Sequence, residues 1–358
     1  MTGAVFVIAE AGVNHDGSLD DARRMIDVAA AAGADAVKFQ TFRADQLVTC
    51  RAGKAAYQTR NTGGDGGQMA MLKTLELDRD AHLMLAAHAA DRGVRFMSTA
   101  FDLDSLTFLA GLDMPAIKIP SGDLTWGTML LAASRLDRRL IVSTGMATLD
   151  DIRQALAVIA FGLTRPGLPT GPGDLDHAFA DPGGQARLRG RIVLLHCTTE
   201  YPAPLSAVNL RAMDVMAETF GLPVGYSDHT LGTTVAVAAV ARGATVIEKH
   251  FTLDRARPGP DHAASLEPAE LGQMITAIRD VEVALGRPVK APAPEELANR
   301  AVARRSLVAA RPIEAGEIFH IDNLTAKRPA DGVSPMEIWS RLGRPALRAY
   351  AADEAIDA

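Results

Sequence analysis

The sequence predicts an α/β chain: a (β/α)8 barrel followed by a small, separate C-terminal domain. Three observations carry that expectation. Eight short β-rich runs recur, most of them separated by amphipathic helical segments. Their apolar parts are mostly continuous, as in parallel strands buried on both faces. Polar groups close every run, whereas a doubly wound open sheet gathers its site at one switch point. No GxGxxG follows the first run, which removes the dinucleotide fingerprint of that alternative fold.

The runs follow in order. VFVIAEAG starts at Val5, and the segment after it, SLDDARRMIDVAAAAG, has Ser18 and Asp21 as a capping-box-like start and Gly33 as a stop. AVKFQT starts at Ala36, and RFMSTAF at Arg95 after the helical pattern DRDAHLMLAAHAADRG. AIKIPSGD (from Ala116) and LIVSTGM (from Leu140) come next, then the helical LDDIRQALAVIAFG. The Pro/Gly-rich stretch 164–184 reads as a surface loop inserted before the sixth run. IVLLHCTT (Ile192), VGYSDHT (Val224) and TVIEKHF (Thr245) complete the set. These divisions place the barrel at 1–286, a Pro/Ala linker at 287–298 and a small domain of short strands at 299–358.

Composition narrows the classes. The 358 residues are 48% hydrophobic and 22% charged with net charge -6, so neither nucleic acid nor an anionic membrane is an expected partner. An anionic substrate must then be held by a local cluster of cations. Two distant cysteines, Cys50 and Cys197, make no disulfide framework, and the N-terminus lacks a basic n-region, so a cytoplasmic location is expected. Cys197, His82 and His88 read as ordinary packed or solvated residues.

The run ends would collect, at one mouth, Glu10 and Asn14, Lys38 and Gln40, Ser98 and Thr99, Lys118, Ser121 and Asp123, Ser143 and Thr144, Thr198, Thr199 and Tyr201, Ser227 and His229, and Glu248, Lys249 and His250. Lysines buried on two strands need anionic partners. With Ser/Thr donors they suit a phosphate or carboxylate-plus-phosphate ligand; alternatively, each lysine pairs with Glu10, Asp123 or Glu248. His229 and His250 end neighbouring runs and could reach one exchangeable divalent ion, or one could hydrogen-bond while the other packs.

Taken together, IAEAGVNHDGS, AVKFQT, STAF, IKIPSGD, STGMAT, LHCTTEYP, GYSDHT, EKHFTLDRARPGPDH and AKRPADG resemble, in order, the sialic acid (nonulosonic acid) synthase family. The resemblance implies a barrel followed by an antifreeze-protein-like (SAF) domain. It also implies condensation of phosphoenolpyruvate with an N-acetylated hexosamine aldehyde, dependent on Mn²⁺ or another divalent cation such as Mg²⁺ or Co²⁺. A homodimer is implied, in which the tail of one subunit closes the barrel of the other.

Residue by residue, it implies that Lys38, Lys118, Ser121, Ser143 and Ser227, helped by Gln40 and Thr99, hold phosphoenolpyruvate. His229 and His250 would hold the metal, and Glu10 or Asp123 would handle a water proton. Tyr201 and Asp261 would contact the sugar, with Arg328 arriving from the partner subunit. Asp123 stands where many members have glutamate, Thr199 where they have asparagine and Ala100 where they have proline. These departures fall on the substrate side. N-acetylmannosamine, giving N-acetylneuraminate, is the expected acceptor. The alternative is a 2,4-diacetamido-trideoxyhexose, giving legionaminate or pseudaminate. Two readings from other classes compete: a Schiff-base aldolase using Lys38 or Lys118, and a non-catalytic carbohydrate-binding protein.

Overall fold

In a computed structural model, which describes residues 3–63 and 66–357, eight parallel strands close on themselves in sequence order. They are β1 (Phe6–Gly12), β2 (Ala36–Thr41), β3 (Arg95–Ala100), β4 (Ala116–Ile119), β5 (Arg139–Ser143), β6 (Ile192–Cys197), β7 (Val224–Asp228) and β8 (Val246–His250). β1 pairs with both β2 and β8, which completes the barrel. This is the fold class expected, and among the described residues no helix is long and apolar enough to cross a membrane.

The continuous apolar runs resolve into two faces. Outward residues such as Val7, Val37, Phe39, Phe96, Ile117, Val142, Leu194 and Ile247 join the main core with the surrounding helices. Inward residues Ile8, Ala36, Met97, Ala116, Ile141, Val193, Leu195 and Val246 fill the barrel as an apolar plug. Two residues further along, the inward positions become Glu10, Lys38, Thr99, Lys118, Ser143, Cys197 and Glu248. The apolar plug is therefore the floor beneath a polar layer, as the period of 2 requires.

Ser18 caps the helix Leu19–Ala31 by accepting from Asp21 N, and Gly33 beyond it takes φ +81. The stretch 164–184 is not the loop expected. It contains the helix Pro172–Ala180 and the start of another, Pro182–Arg191. Both prolines sit in the first helical turn, where the missing N–H costs nothing, and Asp181 caps the second helix through Gly184 N. The Pro/Gly content marks helix starts here rather than coil.

The chain divides into two compact units, 1–286 and 287–358. In the second, the exposed helix Pro294–Ala303 runs through the end of the stretch read as a linker and into the small domain. β9 (Ser306–Ala309) and β10 (Leu324–Lys327) pair antiparallel. Leu307, Ile313, Phe319, Leu324, Tyr350 and Ile356 form its core.

Candidate active site

The polar layer opens into one cavity of about 450 Å³ at the C-terminal ends of the strands. Glu10 comes from β1, Lys38 and Gln40 from β2, and Thr99 from β3. Lys118 comes from β4, followed by Ser121 and Asp123 in a 3-10 turn. Ser143 ends β5, Tyr201 follows β6, and Ser227 and His229 lie at the end of β7. His250 ends β8 and Asp261 follows it. Arg328 lies in the second unit, exposed just past β10.

Five other residues expected at the mouth do not face the cavity, among them Thr198, whose Oγ1 donates to the Ala207 carbonyl. Lys249 alternates outward between Glu248 and His250, where it is fully buried and bonds Asp228 Oδ2 at 3.0 Å and the Thr230 carbonyl. Ser98 also points outward, 2.7 Å from Thr41 Oγ1, which in turn lies 2.7 Å from His82 Nε2. Thr144 Oγ1 donates to the Leu195 carbonyl. Asn14 is structural: its amide donates to Phe251 O and Ser265 Oγ, while Ser265 holds the Asp261 carbonyl at 2.7 Å.

Glu248 belongs in the site and was not among the residues assigned roles from sequence. It lies between the lysines, with Oε2 3.7 Å from Lys38 Nζ and Oε1 3.4 Å from Lys118 Nζ. Ser227 Oγ donates to it at 3.1 Å. The signal was parity: Glu248 is two residues before His250 and so shares its face. Lys38 also lies 2.8 Å from Glu10 Oε2 and donates to Thr99 Oγ1 at 2.8 Å. The lysines therefore pair with glutamates, as one reading of the sequence allowed.

That pairing does not exhaust the site. Buried Asp123 Oδ2, Ser143 Oγ, Thr199 Oγ1, Glu248 Oε2 and His250 Nδ1 make no hydrogen bond, and neither does Glu10 Oε2 despite its ion-pair distance. Folded chains leave few such atoms, so six around one cavity indicate a polar ligand. Gly145 must stay small here, because a Cβ would fall 2.3 Å from Thr199 Oγ1 and 2.8 Å from Ser121 Oγ.

Burial separates the carboxyls electrically. Burial raises Glu10 to about 7 even with Lys38 beside it. Burial also acts to raise Glu248, but Lys118 and Lys38 outweigh it and hold that carboxyl near 2. Asp123 and Asp261 are both raised by burial to about 6. A pair pushed apart in this way leaves Glu248 charged and Glu10 able to exchange a proton near neutral pH. For a carboxylate base, activity should rise with pH through about 6–7. Glu10→Gln, which keeps the shape, is expected to lower kcat about 10²-fold and erase the limb near pH 7. An unchanged pH–rate profile would exclude Glu10 from that role.

The histidines suit a metal ion. His229 Nδ1 lies 2.6 Å from the Thr198 carbonyl, which can only accept, so Nδ1 carries the proton. Nε2 is left as the lone-pair nitrogen, beside Tyr201 Oη at 3.1 Å. Burial lowers His229 to about 4 and His250 well below the usual range, so both rings are neutral, as ligation requires. The ring centroids are 5.6 Å apart, and His250 Nδ1 is buried without a hydrogen bond. No cluster of three or more His, Cys, Asp or Glu side chains disposed to hold a metal occurs among the described residues. An ion here would rest on two protein ligands and leave positions open.

A closed barrel whose strand ends converge on two lysines, paired carboxyls and two neutral histidines defines a (β/α)8 enzyme. The chain belongs to the NeuB family, whose model matches residues 25–290, and a SAF domain matches 304–358. It is 45% identical over 350 residues to the N,N'-diacetyllegionaminic acid synthase of Campylobacter jejuni, covering 98% of each chain. It is 43% identical over 338 residues to the enzyme of the same name from Legionella pneumophila, covering 94% of this chain and 89% of that one. Among solved structures, the N-acetylneuraminic acid synthetase of Leptospira borgpetersenii in complex with citrate superposes with a TM-score of 0.67 at 30% identity. That match covers 83% of this chain and 90% of the other.

Proposed function

We propose that the chain condenses phosphoenolpyruvate with an open-chain N-acylated amino-sugar aldehyde, yielding a nonulosonic acid and phosphate. The observation that carries this reading is the floor of the cavity, where Lys38 and Lys118 stand among Thr99, Ser121, Ser143 and Ser227 with six unsatisfied buried polar atoms around them. A ligand bearing both carboxylate and phosphate matches those donors. Lys38 is held protonated by Glu10 and Glu248 against the effect of burial, which makes it a poor Schiff-base nucleophile. Burial lowers Lys118, so the aldolase reading rests on that lysine alone and leaves the two histidines and the hydroxyls of the cavity without a task.

In this reading Lys38, Lys118, Gln40, Thr99 and the serines orient phosphoenolpyruvate. Its C3 forms a bond to the aldehyde carbon, and the aldehyde oxygen takes up a proton. Water adds at C2, its proton passing to Glu10 or Asp123. The C2–O bond then breaks, releasing phosphate and leaving the C2 ketone. His229 and His250 would hold a divalent cation such as Mn²⁺, which supplies Lewis-acid polarisation of the aldehyde. Tyr201 and Asp261 contact the sugar. Arg328 would be delivered by the second subunit of a homodimer, in the cytoplasm.

For the acceptor, the relatives support the 2,4-diacetamido-trideoxyhexose of the legionaminate pathway over the N-acetylmannosamine expected from sequence. Relatives at 45% and 43% identity carry the legionaminic name, against 30% for the neuraminic structure. Phosphate-release kinetics with phosphoenolpyruvate and the legionaminate, pseudaminate and neuraminate acceptors test the reading. Turnover with the legionaminate acceptor at the highest kcat/KM is expected. No release with any of the three would overturn the synthase reading.

A further inference from the structure

Two stretches of the sequence, NHDG (14–17) and PGPDH (258–262), meet at a side-chain clasp next to Asp261. His262 is fully buried and lines no part of the cavity. Its Nε2 donates to Asp16 Oδ1 at 3.1 Å, and its Nδ1 lies 2.8 Å from Thr252 Oγ1. The ring rests on Gly259, where a Cβ would fall 2.4 Å from Cδ2 and 2.8 Å from Nε2, so the residue between the two prolines must stay small. Asp16 stands in the left-handed region at φ +52, in the turn that follows β1. One imidazole therefore ties the chain beyond β8 to the turn beyond β1, to Thr252 and to the Pro-Gly-Pro bend.

We infer that His262, held by Asp16, is a positioning residue that aims the Asp261 carboxylate at the sugar. The inference rests on the synthase reading and on the sugar contact proposed there for Asp261. Between the end of β8 and the helix Pro268–Leu285, the only regular element is the 3-10 turn His262–Ala264, so side chains rather than a ladder hold this segment. Among the described residues the Asp261 carboxyl makes no hydrogen bond of its own; its Oδ2 lies 3.8 Å from His250 Nδ1. The direction of that carboxyl is thus set by its backbone. Ser265 holds the Asp261 carbonyl, and His262, the next residue, is clamped on both ring nitrogens. Released from Asp16, the segment loses its link to β1, and a shift of about 1 Å at a reacting group can lower turnover about 10²-fold.

Asp16→Gly and Asp16→Asn separate the anchor from the turn, since both replacements accept a positive φ and only asparagine keeps an acceptor for His262 Nε2. Phosphate release is measured with phosphoenolpyruvate and whichever acceptor of the panel above turns over fastest. Asp16→Gly and His262→Leu are expected to lower kcat/KM for the sugar about 10- to 100-fold. KM for phosphoenolpyruvate should stay within about two-fold, and Asp16→Asn within about three-fold of the wild type throughout. In an Asp261→Ala background, which lacks the carboxylate to be aimed, Asp16→Gly should lower kcat/KM by no more than about two-fold further, because residues acting as one unit are not additive. Asp16 is partly accessible, so its variants keep the test open if His262→Leu fails to fold. Unchanged sugar kinetics in Asp16→Gly, or an equal loss with and without the Asp261 carboxylate, overturns the inference and leaves the synthase reading intact. Absence of phosphate release by the wild type with every acceptor of the panel defeats both.

Discussion

Replacing His229 with alanine is expected to reduce phosphate release at least about 10³-fold, the scale of several kcal/mol of Lewis-acid stabilisation. Chelation of the wild-type enzyme should do the same and Mn²⁺ should reverse it, whereas Mn²⁺ should not rescue the variant. The physical reason is the ring's fixed tautomer. The Thr198 carbonyl, 2.6 Å from Nδ1, orients Nε2 into the cavity, and burial keeps the imidazole neutral. Alanine removes both the lone pair and the aromatic face on which Tyr201 stacks at 4.2 Å. A His229→Phe variant retains that stacking and separates the two losses. If His229→Phe keeps activity, or if chelation leaves the wild type unaffected, the two histidines are not metal ligands.

Lys249→Met is expected to destabilise the barrel by about 3–5 kcal/mol, because one charge of a fully buried pair is left without its partner. Asp228 Oδ2 lies 3.0 Å from Lys249 Nζ, and Oδ1 accepts from Thr230 N and Thr230 Oγ1. The double change Asp228→Leu with Lys249→Met removes both charges and should recover most of the loss. The Thr230 N–H is then left unpaired, so recovery stays incomplete by about 1–3 kcal/mol. Urea unfolding of the single and double variants reads this directly. A single variant as stable as the wild type would show that the pair is not the constraint it looks. The pair lies behind His229 and His250, on the strands that carry them, so the same experiment shows how firmly that edge of the site is held.

Much of the fold and the site was legible in the chain. Eight apolar runs ending in polar residues announced the barrel, and Lys38, Lys118, His229 and His250 stood out because charges and imidazoles are costly at the ends of buried strands. The stretch 164–184 was misread because proline and glycine mark both loops and helix starts, and only the Asp181 cap distinguishes them. Lys249 was placed in the mouth, and Glu248 was left without a role, for one shared reason. Both faces of a barrel strand are buried, so the apolar pattern does not alternate and does not say which side is inward.

The sequence by itself determined the order and kind of the elements and the inventory of reactive groups. Those depend on local periodicity and on residue types that strand interiors exclude. Tertiary structure alone decided which of two adjacent residues faces the ligand. Barrel closure turns Glu248 and His250 inward and Lys249 outward, because successive side chains project to opposite faces. It also decided protonation. Glu10 and Glu248 are the same residue type, but burial raises one to about 7, whereas Lys118 and Lys38 together hold the other near 2. How strongly the lysines brought in by barrel closure offset burial at each carboxyl sets that difference, and no local pattern in the chain records it.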